Sequence, residues 1–545
     1  MDAGAAASAN AEGDVDICGE SALRRRARPM FGAPLVVVLS GLLLSSAAFA
    51  QHTYYIAVSG SDSNTATQAQ SKTTPWLHAP GMTGCSSNCA SYSPVPGDRL
   101  ILRGGDSWHF SGRATGTVGL PWTWTWTGSS GSPIYVGVDQ TWYSGSSWTR
   151  PVLNGDNPTS TGNVSSCKYS DSAVNYYFGL GGNLSYVQID YLEVVGICWD
   201  SSSSSSGNFP TAFAGNDNQS YVTWSHIYGH GWTHTTNCTG SGCSTGPAIF
   251  AGDSHSNGGQ GDQFVGVICD GADTSKDGMS CILWDVYDIH NSVIKNMAQG
   301  VVGNNAHTFH DNLITNIQEA PSSTGDHSNG FEFNSEWAGN NTVYNNVIAN
   351  NTVAVTAWVN PNATDYYYNN VVYNNASQPW DIDSSSGGTM YFYNNTFADA
   401  GSGGIGKSGS WKGIMSGNLL INTSINGTPT SQANSVVMTD AQASTAGLTT
   451  SNNYAPGNAT CSGASLCPVA AGAALTSACS AAGAALCSGT TAACAYSGGS
   501  MTCPAVAAVA RPSIGAWDVG AFQYSSTVTT PTGPQPPTGV TATVH

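Results

Sequence analysis

Val343-Tyr-Asn-Asn-Val-Ile-Ala-Asn350 returns as Tyr367-Tyr-Asn-Asn-Val-Val-Tyr-Asn374 and again as Phe392-Tyr-Asn-Asn-Thr-Phe-Ala-Asp399. Upstream copies are Ile289-His-Asn-Ser-Val-Ile-Lys-Asn296 and Phe309-His-Asp-Asn-Leu-Ile-Thr-Asn316, and Met415-Ser-Gly-Asn-Leu-Leu-Ile-Asn422 closes the series. The starts lie 20, 34, 24, 25 and 23 residues apart. Each unit has two short β-type runs about a tight corner, so it is one coil of a stack rather than a domain. Asn at the corner (Asn312, Asn346, Asn370, Asn395, Asn418) tolerates left-handed backbone and bonds nearby peptide groups. Stacked at the strand spacing of about 4.8 Å, these amides form a ladder while the apolar neighbours stack inward. A helical repeat would show a 3.6-residue period, and none is present. The expected fold is all-β, a right-handed parallel β-helix.

Composition agrees. Only 9% of residues are charged, and Gly, Ser, Thr and Asn abound, which suits short strands and many turns. Residues 1–50 read as a leader: Arg24, Arg25, Arg26 and Arg28 precede an apolar run and an Ala-Phe-Ala end at Ala50, so the mature chain is expected to start at Gln51 and to be secreted. Residues 51–160 read as a β-rich start and first coils, and 161–524 as the β-helix with Cys-rich terminal coils and a cap. Residues 525–545 read as a Thr/Pro linker opening a fibronectin-III-like segment.

Removing the leader leaves 15 − 4 = 11 basic and 33 − 5 = 28 acidic residues, a net charge near −17. That surface argues against nucleic acid or an anionic membrane as partner, and would need a cation such as Ca2+ to bridge to an acidic polysaccharide. The 14 remaining cysteines fall in neighbouring couples, from Cys85/Cys89 to Cys494/Cys503, and read as local disulfides.

Further stretches resemble a known group. Tyr54-Tyr-Ile-Ala-Val-Ser-Gly-Ser-Asp-Ser-Asn64, Pro96-Gly-Asp-Arg-Leu-Ile-Leu-Arg-Gly-Gly105 and Gly131-Ser-Pro-Ile-Tyr-Val136 resemble the opening coils of the pectate-lyase-like superfamily. Arg511-Pro-Ser-Ile-Gly-Ala-Trp-Asp-Val-Gly-Ala-Phe522 is similar to its C-terminal closing motif. The resemblance implies a secreted β-helix that binds or cleaves polysaccharide. It does not select a reaction, because the fold hosts lyases, hydrolases and non-catalytic adhesins.

One strand per coil should line a groove with outward side chains. Alternation puts Phe331 and Phe333 inward and Glu332 outward, and likewise Trp380 and Ile382 inward with Asp381 and Asp383 outward. Glu332, Thr356 and Asp381 then share a column, with Glu332 and Asp381 about 9.5 Å apart, near the carboxyl separation of inverting glycosidases. Glu332 and Asp381 are expected to share the acid and base roles, with Asp383, and Asp326 and His327 just before the Glu332 strand, tuning them. Asp253, Asp262, Asp273 and Asp277 are candidate Ca2+ ligands, and Lys276 is the candidate base of a Ca2+-assisted lyase. Trp337, Trp358, His307 and His310 are candidate sugar contacts. Trp122, Trp124 and Trp126 share one strand face and read first as packing. The scarcity of Lys and Arg puts a carboxylate hydrolase slightly ahead of a lyase. The competing reading is a non-catalytic glycan-binding or adhesive β-helix, and a monomer is expected.

Overall fold

The structure, a computed structural model, describes residues 51–110, 116–159, 164–168, 176–199, 211–215, 219–235, 248–252, 260–272, 279–283, 287–303, 308–318, 328–334, 340–399, 401–497 and 500–525. The described strands of the coils pair in parallel, and each coil contributes to three faces. Face 1 stacks Trp122–Trp124, Tyr176–Leu180, Thr211–Ala214, Ala248–Ala251, Ser280–Leu283, Gln299–Gly303, Asn329–Asn334, Val353–Trp358 and Trp380–Ile382 in that order. Face 2 begins with Thr53–Ile56, Arg99–Gly104 and Ile134–Tyr143, and continues through Asp288–His290, Thr308–His310, Thr342–Tyr344, Thr364–Tyr368 and Thr389–Tyr393. Face 3 carries the short runs after the corner, such as Val347–Ala349 and Val371–Tyr373. The long strand Ile405–Ser416 serves face 1 with its first half and face 2 with its second.

The corner between faces 2 and 3 explains the repeat. Asn346 Nδ2 donates to Phe309 O on the coil below (3.0 Å) and to Asn370 Oδ1 on the coil above (3.0 Å). The same pattern runs through Asn312, Asn370, Asn395 and Asn418, all wholly buried. One expectation is corrected here. The ladder residues are not the left-handed ones; the residue before each takes that conformation, with φ 57° at Asp311, Asn345 and Asn369, 51° at Asn394 and 71° at Gly417. Two jobs are split between neighbours: the first residue turns the chain, which aims the second side chain into the interior, where its amide must be paired.

The inside is a single apolar stack running from Ile56 to Leu420, with Phe309, Phe331, Phe333, Tyr367, Trp380 and Phe392 among its buried rings. Trp122 and Trp124 are wholly buried in it and Trp126 packs against it, so that tryptophan strand is core. Six of the expected disulfides are present: Cys85–Cys89, Cys167–Cys198, Cys269–Cys281, Cys461–Cys467, Cys479–Cys487 and Cys494–Cys503. The couple Cys238/Cys243 lies outside the described residues, as do residues 1–50 and 526–545.

The Cys-rich region differs from stapled coils. After Ile425–Ala433 and Val436–Met438 the chain stops coiling and runs back along the outside of the stack, at the corner between faces 2 and 3. Ala485 O and Ser488 O accept from Asn369 Nδ2 (3.1 and 2.9 Å), and Thr491 Oγ1 donates to Asp311. Tyr496 OH donates to Asp270 Oδ2 (2.8 Å). The chain turns in the antiparallel hairpin Ala495–Ser497 with Ser500–Thr502 and returns. Arg511 ends this strap: 5% exposed, its guanidinium reaches Asn369 Oδ1 (3.0 Å) and the carbonyls of Ser488, Asp518, Gly520 and Ala521. Burial pushes its pKa down to about 9, against the attraction of Asp518.

Candidate functional site

On face 1 the pairing sets Val302, Glu332, Thr356, Asp381 and Gly406 in one outward row, with Phe331, Phe333, Trp380 and Ile382 inward. Glu332 and Asp381 are thus two strands apart, about 9.6 Å. Outward does not mean wet, however. Val302, Glu332 and Thr356 are 3%, 6% and 6% exposed, whereas Asp381 and Asp383 are half-buried. The open groove expected along the whole row is therefore confined, at the strands, to the end that bears Asp381 and Asp383.

Glu332 sits in an amide network that alternation alone does not reveal. Its Oε2 accepts from Gln299 Nε2 (3.1 Å) and Asn329 Nδ2 (3.0 Å); Ser280 Oγ donates to Gln299 Oε1 (3.2 Å) and Thr356 Oγ1 to Asn329 Oδ1 (3.1 Å). Gln299 and Asn329 lie three residues before the outward row, where a strict pleat would turn them inside. Gly300 and Gly330 break the pleat: a side chain on Gly300 would meet Gly330 O at 2.1 Å, so only glycine lets these coils close. A polar residue immediately before a strand glycine, twice in register, is the sequence signal for this network.

Asp381 and Asp383 stand two residues apart at one strand end, their backbones about 7 Å apart, and both are half-buried. Their environments push them in opposite directions. Burial raises the Asp381 carboxyl, and Asp383 raises it further, against one hydrogen bond from Gln378 Nε2 (3.1 Å). Burial also raises Asp383, but donors outweigh it: Ser385 N (2.8 Å), Ser385 Oγ (2.6 Å), the Trp358 indole and the positive Lys407 leave it lowered. Trp358 is thus tied to the acid pair.

The remaining candidates scatter. His310 lies on face 2, stacked between His290 (4.8 Å, 4°) and Tyr344 (4.6 Å, 2°), with Nδ1 on Asp311 Oδ2 (2.6 Å). Asp288, His290 and His310 bring three ligand-type atoms within 4.8 Å of one another, among the described residues. The sequence reading did not combine them, because Asp288 and His310 meet only across two coils. Asp262 is wholly buried; its carboxyl accepts from Gln219 Nε2 (2.7 Å) and Val222 N (2.8 Å), and burial lifts it to about 7. Asp262, expected as a Ca2+ ligand, is here a buried acid whose oxygens accept from Gln219 and Val222. Asp253, Asp273, Asp277, Lys276, His307, Asp326, His327 and Trp337 lie outside the described residues.

No protein-family model matches the chain, and no curated sequence relative does. Among solved structures, the chain is similar to the GH136 lacto-N-biosidase from Eubacterium ramulus (10% identity, 71% of this chain and 67% of that one, TM-score 0.39). It is similar to pectate lyase Pel9A (17% identity, 65% and 77%, TM-score 0.34) and to a rhamnogalacturonan lyase (12% identity, 70% and 87%, TM-score 0.37). The parallel β-helix is established by the strand pairing itself. Among the described residues no helix is long and apolar enough to cross a membrane.

Proposed function

We propose that the chain is a secreted polysaccharide-cleaving enzyme working at the Asp381 end of face 1, and that cleavage is hydrolytic. The observation that carries this is the pair Asp381 and Asp383: two half-buried acids, two residues apart at one strand end, with protonation pushed in opposite directions. Such a pair supplies an acid for the leaving oxygen and a base for water, the two roles that inverting glycosidases divide between carboxyls. Asp381 is the acid and Asp383 the base; Trp358 holds Asp383 and offers a ring edge to the sugar. Glu332, expected from the sequence to share the chemistry, is better suited to position the strand, being nearly sealed and held by two amides. The substrate class is a neutral or weakly charged polysaccharide. The disulfides fit an oxidising compartment. Ca2+ is assigned no step here.

The burial of Glu332 favours the rival reading, a non-catalytic glycan-binding β-helix. One experiment separates them: purified protein is incubated with a panel of polysaccharides while reducing ends and the ultraviolet absorbance of unsaturated sugar ends are followed. New reducing ends without absorbance, lost in both Asp381→Asn and Asp383→Asn, support hydrolysis at this pair. Rising absorbance means elimination, and binding with neither signal means an adhesin; either outcome refutes the proposal.

A further inference from the structure

On face 2, outward side chains of two adjacent coils gather a group that the proposed chemistry does not use. In Asp288-Ile-His290 alternation buries Ile289 in the core and sends Asp288 and His290 outward together. Thr308-Phe309-His310 repeats this one coil on, and the pairing sets His310 over His290. The two imidazoles stack 4.8 Å apart at 4°, and Tyr344 continues the stack beyond His310 at 4.6 Å and 2°. Asp288 leans beside both rings: its Oδ2 lies 3.3 Å from His290 Nδ1 and its Oδ1 3.6 Å from His310 Nε2. Neither approach is a hydrogen bond. Asp288 Oδ1 and His290 Nδ1 are shut off from solvent and make no hydrogen bond at all.

Asp311 fixes the other side of His310. Its Oδ2 accepts from His310 Nδ1 (2.6 Å), while its Oδ1 accepts from Asn345 Nδ2 (3.2 Å) and from Thr491 Oγ1 of the strap. With the hydrogen on Nδ1, the Nε2 of a neutral ring turns a lone pair toward Asp288, the arrangement in which carboxylate-backed histidines meet metal ions. Acceptor therefore faces acceptor with no donor between them. Among the described residues no Lys or Arg pairs with Asp288 or Asp311. Protons alone would fill both gaps only by charging both rings, and stacked cations 4.8 Å apart repel. One divalent ion satisfies all three groups.

We propose that Asp288, His290 and His310 form a site for one divalent transition-metal ion, Zn2+ foremost, which clips two successive coils together on face 2. Two imidazoles and one carboxylate are a donor set of zinc sites that keep a further position open, whereas Ca2+ takes oxygen ligands. Tetrahedral bonds of about 2.0–2.2 Å set neighbouring ligand atoms about 3.3–3.6 Å apart. The two approaches of Asp288 already stand at 3.3 and 3.6 Å, and all three ligand atoms lie within 4.8 Å of one another. A shared ion must lie in the plane of both rings, so one of the parallel rings turns about its Cβ–Cγ bond on binding. His290 is the one that turns, because His310 is held by Asp311 and by a ring on either side, while His290 Nδ1 has no hydrogen bond to give up. Asp288, His290 and His310 keep 17%, 20% and 18% of their side chains exposed, which leaves the ion a way in. The site lies on a different face from Asp381 and stands whether or not the chain is a hydrolase.

The test is calorimetric titration of the untagged full chain, first stripped with a chelator, with Zn2+ and separately with Ca2+. One equivalent of Zn2+ is expected to bind at least about 100-fold more tightly than Ca2+. Its affinity should fall from about pH 7 to about pH 5 as the imidazoles take up protons. His290→Gln and His310→Gln should each weaken Zn2+ binding by more than about 100-fold, and Asp311→Asn, which only orients His310, by about 10–100-fold. His226→Gln removes an imidazole that pairs with Asp190 two coils away and should leave the affinity unchanged. Circular dichroism of the metal-free variants checks the fold; if His310→Gln is unfolded, His290→Gln decides. Ca2+ binding as tightly as Zn2+, no tight Zn2+ equivalent, undiminished affinity in folded His290→Gln, or an equal loss in His226→Gln would each overturn the assignment.

Discussion

Replacing Asn346 by alanine takes one rung from the buried corner ladder, and the structure sets the cost. The side chain donates to Phe309 O and Asn370 Oδ1, and its Oδ1 accepts from Asn312 N and Asn312 Nδ2, four hydrogen bonds at 3.0 Å. Asn312 Nδ2 keeps Ile289 O as a second partner, but the Asn312 peptide N–H loses the acceptor assigned to it, inside a wholly buried corner. An orphaned buried donor costs about 1–3 kcal/mol and a net neutral hydrogen bond about 1 kcal/mol, so Asn346→Ala should destabilise by roughly 3–5 kcal/mol. Urea unfolding followed by tryptophan fluorescence measures this. Asn370→Ala shares one of the bonds, Asn346 Nδ2 to Asn370 Oδ1, and also takes the acceptor of the Asn346 peptide N–H (3.1 Å). The double variant should therefore be less destabilised than the sum by at least about 0.5 kcal/mol. A cost under about 1 kcal/mol, or strict additivity, would refute the view that these asparagines are an interlocked structural column.

Arg511→Met should cost about 3–5 kcal/mol, because it leaves Asn369 Oδ1 and several strap carbonyls without their donor; limited proteolysis should then cut the strap before the coils. Asp262 and Asp365, lifted by burial to about 7 and about 6 from an ordinary 3.8, hold protons in the folded state that the unfolded chain releases. Stability should accordingly be full below about pH 4 as far as these groups are concerned and fall as pH rises toward 7, by on the order of 4 kcal/mol for Asp262. Asp262→Asn should flatten that slope in thermal melts at a series of pH values, and an unchanged slope would exclude Asp262 as its source. If Asp381 is the acid, kcat should decline as pH rises through its elevated pKa, and Glu332→Gln should retain far more activity than Asp381→Asn.

The fold was legible because its cause is local and repeated. An apolar–corner–apolar unit with asparagine at a fixed place cannot bury itself alone, and stacking is the one arrangement that pairs every amide and hides every inward ring. The same alternation correctly put Phe331 and Trp380 inside and Asp381 outside. It failed where a pleat was interrupted: Gly330 lets Asn329 share a side with Glu332, a consequence of two backbones closing on each other.

By itself, then, the sequence decided the coil, its asparagine corner and the inward set, since each depends on residues a few positions apart. Only the tertiary structure decided which outward acids meet water, that Asp262 is sealed, and that the terminal segment doubles back so that Arg511 caps Asn369 and Tyr496 meets Asp270. Those outcomes join residues as many as 226 positions apart, as with Asp270 and Tyr496. Burial and charge environment at such contacts are set by what the rest of the chain brings over them, which no local pattern encodes.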